Sequence, residues 1–123
     1  MDVSLFDGKG HPTAYIAEDG EHTIYLWKGH AVAYVDHETI FGWNGKHIGW
    51  FIAGVVHDLH GRRVGSIASE CPYGAHAEPG KYEKRAKYEK HTRFTANARP
   101  VLSSAYSAQT LLELLKSGAV GPV

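Results

Sequence analysis

The chain has a single cysteine, Cys71, among its 123 residues. That excludes an intramolecular disulfide framework and any zinc centre built on several thiolates. Net charge is also lacking: 13 Lys/Arg stand against 13 Asp/Glu, so no global field draws the protein to nucleic acid or membrane. No apolar run approaches the ~20 residues of a spanning helix. The opening MDVSLFDGKG lacks the basic and apolar regions of a secretory signal. The expectation is a soluble chain in a reducing, cytoplasmic setting, with one domain and one modest core.

The charge is balanced overall but not along the chain. Residues 1–69 carry five Lys/Arg against eight Asp/Glu, and residues 70–123 carry eight against five. That is a weak sign of a basic tail.

Glycine is plentiful, and its positions repeat. Aligned on glycine, LFDGKGHPTAYI (5–16), IYLWKGHAVAYV (24–35), IFGWNGKHIGWF (40–51) and VHDLHGRRVGSI (56–67) form four rows. Gly10, Gly29, Gly45 and Gly61 are spaced 19, 16 and 16 apart, and a small residue follows each by four: Ala14, Ala33, Gly49, Gly65. Each row predicts a β-hairpin with a two-residue turn at Lys9-Gly10, Lys28-Gly29, Asn44-Gly45 and His60-Gly61.

With such a turn Trp27 faces His30, Leu26 faces Ala31 and Ile24 faces Ala33. Strict alternation then puts Tyr25, Trp27, Val32 and Tyr34 on one face and Ile24, Leu26, Ala31, Ala33 and Val35 on the other. In the third row the faces are Phe41, Trp43, Ile48, Trp50 and Ile40, Gly42, Gly49, Phe51. Neither face is polar, so both must be covered. The recurrent Ala or Gly lets four hairpins bring their backbones together around a common axis. An eight-stranded meander or small barrel is the alternative. Either way residues 1–67 are all-β.

On the residues TIYLWKGHAVAYVDHETIFGWNGKHIGWF and HDLHGRRVGSI, the chain resembles the bacterial four-fold beta-flower domain family over roughly residues 3–67. NGKHIGWF is the most specific segment. The resemblance implies four hairpins around a pseudo-four-fold axis and implies no catalytic residue. The first row departs most, with Pro12 beside its turn and a longer acidic link, AEDGEHT. The expected fold is therefore mainly β: four sequential hairpins, then an extended arm and a short C-terminal helix.

Two segments follow: a four-hairpin β-repeat domain over 1–69, and a linker, basic arm and helix over 70–123 that pack on the β-domain or on a second subunit. Residues 68–80 are linker by composition. KYEKRAKYEK repeats Lys-Tyr-Glu-Lys at 81–84 and 87–90 and suits a solvated helix or extended arm, with Glu83 and Lys87 a supporting i,i+4 pair. TLLELLKSG (110–118) is the best helix, capped by Thr110 with Glu113 completing a capping box. It is expected to dock Leu111, Leu112, Leu114 and Leu115.

Nine histidines invite a metal reading: His57 and His60 flank the fourth turn, with His30 and His47 at equivalent turns. No ligand spacing such as HExxH supports it, and no metal or cofactor is assigned. Cys71 in a linker lacks the rigid base partner of a nucleophile. The arm interleaves Lys81, Tyr82, Lys84, Arg85, Lys87, Tyr88, Lys90, Arg93 and Phe94, a pattern that can track a single strand of nucleic acid. Two glutamates dilute it, and a solvated arm is the favoured reading.

The aromatic face remains: Tyr25, Trp27, Tyr34, Phe41, Trp43 and Trp50 exceed what a small monomer leaves exposed. The arm, a second subunit or a ligand must cover it. The leading expectation is a non-enzymatic domain that self-associates as a homodimer or larger homo-oligomer and holds a protein partner or small ligand on this face. Nucleic-acid binding through residues 81–94, centred on Lys81, Lys84, Arg85 and Lys87, comes second. A metal-dependent enzyme using His57 and His60 comes third.

Overall fold

The computed structural model describes residues 2–84 and 88–121. Four hairpins follow one another: β1 (Val3–Asp7) with β2 (Pro12–Ile16), β3 (Thr23–Leu26) with β4 (Ala31–Asp36), β5 (Thr39–Gly42) with β6 (His47–Ile52), and β7 (Val55–His57) with β8 (Arg63–Ser66). Each strand pairs antiparallel with the next. β8 returns to β1, Phe6 opposite Ser66 and Asp7 opposite Gly65, which closes an eight-stranded barrel. Closure leaves no edge strand to template aggregation. The four sequential hairpins and the short helix expected from the sequence are all present.

The four turns share one geometry, and it differs from the expected two-residue turn. In each, the glycine N–H donates three residues back (Gly10 to Asp7, Gly29 to Leu26, Gly45 to Gly42, Gly61 to Asp58) at 2.8–3.0 Å. The residue receiving that bond donates four residues forward, as Leu26 does to His30 at 2.8 Å. These are three-residue loops ending in a left-handed residue. The glycine φ values, +82° to +100°, explain why glycine recurs there.

One extra residue enters the second strand of every hairpin. Ile24 pairs with Ala33 but Tyr25 pairs with Ala31, so Val32 has no opposite number. Thr13, Ile48 and Val64 are the equivalent bulge residues. A bulge breaks the side-chain alternation assumed above. Val32 and Ile48 therefore join the core with Ile24, Leu26 and Ala33, while Ala31 packs outside against Tyr15, Tyr25 and Trp27. The pairing Ile24–Ala33 stands as expected; Leu26 pairs with His30, not Ala31.

Inside the barrel, a large residue faces a small one in every hairpin: Leu5–Ala14, Ile24–Ala33, Ile40–Gly49 and Val56–Gly65. The small partner admits two neighbours. A Cβ on Gly49 would lie 2.2 Å from the His57 carbonyl oxygen of the adjoining hairpin and 3.6 Å from Leu114 Cδ2. The small residues thus let hairpins meet and leave the lumen open to a helix.

That helix is α1 (Leu111–Lys116), with Thr110 Oγ1 accepting from Glu113 N and the Glu113 carboxylate accepting from Thr110 N, the expected capping box. Leu111, Leu114 and Leu115 are buried in the barrel core, each worth about 2 kcal/mol of burial. Leu112 differs from the expectation: it faces outward and is 40% exposed. After the helix, Ser117 and Gly118 carbonyls accept from Asn44 at 2.9 Å and tie the segment to the third turn. The helix and the Ser117–Gly118 turn thus lie against this barrel. Among the described residues no helix is long and apolar enough to cross a membrane.

Candidate functional site

The described arm residues form neither helix nor strand, apart from a bridge between Arg63 and Tyr106. The arm passes the four turns in chain order. His76 N–H donates to the Gly10 carbonyl, Tyr82 to Trp27, Phe94 to Gly45 and Ser103 to Gly61, at 2.8–3.3 Å. Lacking side chains, the turn glycines let it come close. A Cβ on Gly45 would stand 2.3 Å from the Thr92 carbonyl oxygen.

Under this arm lie the six aromatics singled out in the sequence. Tyr25, Trp27, Phe41, Trp43 and Trp50 are buried and Tyr34 is half-buried. The structure groups them at the seams between successive hairpins. Tyr15 and Tyr25 stack with Trp27 edge-on to Tyr15, and Tyr34 and Phe41 stack with Trp43 edge-on to Tyr34. Trp50 stands apart from both, 4.4 Å from the His47 ring.

The first two groups are cages for a cation. Lys81 Nζ lies 4.8 Å from the Tyr15 ring centre and 5.3 Å from that of Trp27, and Lys84 Nζ is 5.1 Å from Tyr25. Lys90 Nζ lies 4.4 Å from Tyr34 and 5.2 Å from Trp43, and the Arg93 guanidinium is 4.8 Å from Phe41. Such contacts draw the cation onto the negative ring face. The Trp27 indole N–H donates to the Pro79 carbonyl at 3.2 Å and the Trp43 indole N–H to Tyr88 at 2.6 Å.

Acids of the N-terminal half meet three of these cations and one more, Arg99. Lys81 pairs with Asp2 at 3.8 Å, Lys90 with Glu21 at 2.6 Å, Arg99 with Glu38 at 2.9 Å, and Arg93 with Asp36. The hydrogen bonds from Arg93 and His37 hold the Asp36 carboxyl below its usual range. The opposed charges of the two chain halves therefore meet along this contact. Burial, and then the Asp2 charge, push the Tyr15 hydroxyl up.

The third hairpin uses a histidine. His47 Nε2 donates to the Gly49 carbonyl at 2.9 Å while Nδ1 accepts from Asn97 N–H at 2.8 Å, and burial holds the ring below the usual histidine range. His57, lowered first by burial, points Nδ1 at the Gly61 carbonyl. Of the pair proposed as metal ligands, His57 is buried and His60 exposed. Among the described residues no three His, Cys, Asp or Glu side chains gather in a metal-ligand group. Cys71 is half-buried and free.

Of the four residues named for nucleic acid, Lys81 and Lys84 face rings, and Arg85 and Lys87 lie outside the described residues, as does the Glu83–Lys87 pair's second member. A cleft of about 750 Å³ sits where both ends of the arm meet the first hairpin, lined by Asp7, His11, Tyr73, Tyr106 and Gln109 among others. It includes none of the six expected aromatics. Sequence reasoning missed Tyr15, although Tyr15, Tyr34 and Trp50 each follow the small residue of their row. It also missed Asn97, whose backbone N–H makes the closer contact to His47 Nδ1, at 2.8 Å against 3.3 Å for its side-chain amide.

No curated protein and no solved structure matches the chain significantly. A family model described as 4-fold beta flower protein matches residues 3–115, which takes in the barrel, the arm and most of α1. With four equivalent hairpins closed about a common lumen, the chain belongs to the 4-fold beta flower protein family.

Proposed function

We propose that the protein is a non-enzymatic binding domain whose aromatic belt holds an extended basic peptide segment, and that two copies self-associate by exchanging arms. The observation behind this is the duplicated cage: Tyr15 and Trp27 around Lys81 at the seam of the first and second hairpins, Tyr34 and Trp43 around Lys90 at the seam of the second and third. A ring pair, an indole N–H donor and a nearby carboxylate recognise a lysine and its backbone together. Each contact is worth about 1 kcal/mol, so affinity comes from their sum along the arm. The arm of a second copy makes the same contacts. The exposed residues 72–80, with Gly74 at φ +73°, supply the pivot.

Nucleic acid on residues 81–94 would have to draw Lys81, Lys90 and Arg93 off these rings and carboxylates. Sedimentation of the full chain over a wide concentration range tests the reading. A dimer whose fraction rises with concentration, and which exchanges subunits slowly, is expected. A strict monomer at every concentration, even after refolding from denaturant at high concentration, would overturn it.

A further inference from the structure

The two cages place the same atoms at the same chain offsets. The indole acceptors are the carbonyls of Pro79 and Tyr88, nine residues apart. The caged lysines are Lys81 and Lys90, also nine apart. The backbone donors to the two tryptophan carbonyls are Tyr82 and His91, and the second cations are Lys84 and Arg93. Every one of these four correspondences advances nine residues in the arm, while the barrel advances sixteen, from Trp27 to Trp43 and from Tyr25 to Phe41.

The same step continues beyond the cages. The carbonyls closest to the turn glycines belong to Gly74, Thr92 and Val101. The amides donating to those glycines belong to His76, Phe94 and Ser103. Both sets step by eighteen and then nine. The arm is therefore a second repeat, in nine-residue units, laid on the first.

The visible echo of Lys-Tyr-Glu-Lys at 81 and 87 has a period of six, and it is not what the cages follow. In the second cage Lys90, the fourth residue of its Lys-Tyr-Glu-Lys copy, takes the place that Lys81, the first residue of its own copy, has in the preceding cage. Between the cations, Tyr82 and Glu83 face solvent, so those positions are not read.

We infer that the belt is a ruler for extended basic peptides: each cage takes Lys-x-x-Lys or Lys-x-x-Arg, and adjacent cages take two such motifs whose first lysines are nine residues apart. This rests on the belt being a peptide-binding surface, as proposed above, and names what it selects. Two linked motifs bind as one bivalent ligand only when their spacing matches that of the cages. The intervening side chains are free to vary.

The test uses the full chain carrying Lys81→Ala and Lys90→Ala, which loosens its own arm, with the fold checked by near-UV circular dichroism. Three synthetic peptides are titrated: residues 79–94, the same peptide shortened by three residues between its motifs, and a one-motif peptide of residues 79–86. The unshortened peptide should bind about 10²-fold more tightly than the one-motif peptide. The shortened one should bind no better than the one-motif peptide. Equal affinity for both two-motif peptides, or no binding to the folded variant, would overturn the ruler.

A second measurement serves if that variant does not fold. Deleting residues 85–87 from the otherwise intact chain should make a further tryptophan accessible to acrylamide, because only one cage can then be filled in register. Unchanged quenching of the deletion variant would count against the inference. Copies that exchange arms without any dependence on spacing would sink the ruler alone. A strict monomer that still measures spacing would sink arm exchange alone.

Discussion

The backbone N–H of Asn97 donates to Nδ1 of His47 at 2.8 Å, fifty residues away in the chain. Since Nε2 donates to the Gly49 carbonyl, the ring is held neutral from both sides. A proton on Nδ1 would face the Asn97 N–H.

This gives a pH dependence with a definite sign. Burial lowers the folded-state pKa of both His47 and His57 below the ordinary 6.5. The unfolded chain then takes up protons first as pH falls below that value, so stability is full above it and declines on acidification. The urea midpoint should be lower at pH 5 than at pH 7.5, and His47→Asn should flatten the dependence. Equal midpoints for the native chain would refute this.

Leu115 and Leu112 lie three residues apart on one short helix and should respond differently. Leu115 is fully buried in the lumen and Leu112 is 40% exposed. Leu115→Ala should cost about 2–5 kcal/mol in urea unfolding. Leu112→Ala should stay within about 0.5 kcal/mol. Similar losses at both sites would mean that the helix does not fill the barrel.

Gly49→Ala should destabilise by at least about 1–3 kcal/mol, because its Cβ meets a backbone oxygen at 2.2 Å that cannot turn aside. Gly80, with nothing within 4 Å of an added Cβ, is the control, and Gly80→Ala should be nearly neutral. Denaturant midpoints of the two variants decide the matter.

Lys90→Met keeps the apolar stem and removes the charge from the Tyr34–Trp43 cage. It should cost about 1 kcal/mol and raise acrylamide quenching of tryptophan. Glu21→Gln, which weakens the partly exposed ion pair with Lys90, should cost less and lose its effect at high salt. If the two variants were indistinguishable, the rings would not be holding the lysine.

The repeat and the cap were legible because both depend on local side-chain chemistry. A glycine at φ near +90° cannot be replaced cheaply, so Gly10, Gly29, Gly45 and Gly61 mark every turn. Thr110 and Glu113 announce the helix start in the same way. The bulges at Val32, Ile48 and Val64 were not legible. An extra aliphatic residue has no composition of its own, and it reverses the face of its neighbours. Tyr25 and Trp27 stayed on the outer face because they precede the bulge.

The arm was harder to read for a different reason. Many of its described contacts run through backbone C=O groups, which every residue offers, and N–H groups, which every residue except proline offers. Only Lys81, Lys84, Lys90 and Arg93 leave a trace at the nine-residue step, and the stronger six-residue echo obscures it.

Barrel closure also governs how the chain reaches this structure. Phe6 cannot find its partner until Ser66 has been made, and the lumen stays empty until Leu111, Leu114 and Leu115 arrive. Hydrogen bonds between neighbouring strands are local, but the closing pair and the plug span 60 and about a hundred residues. Loop-closure entropy must be met before those contacts give anything back, which places folding in the millisecond-to-second class of non-local β-proteins. On the ribosome the hairpins would emerge one by one without a core, and acquire one only when the helix reaches them.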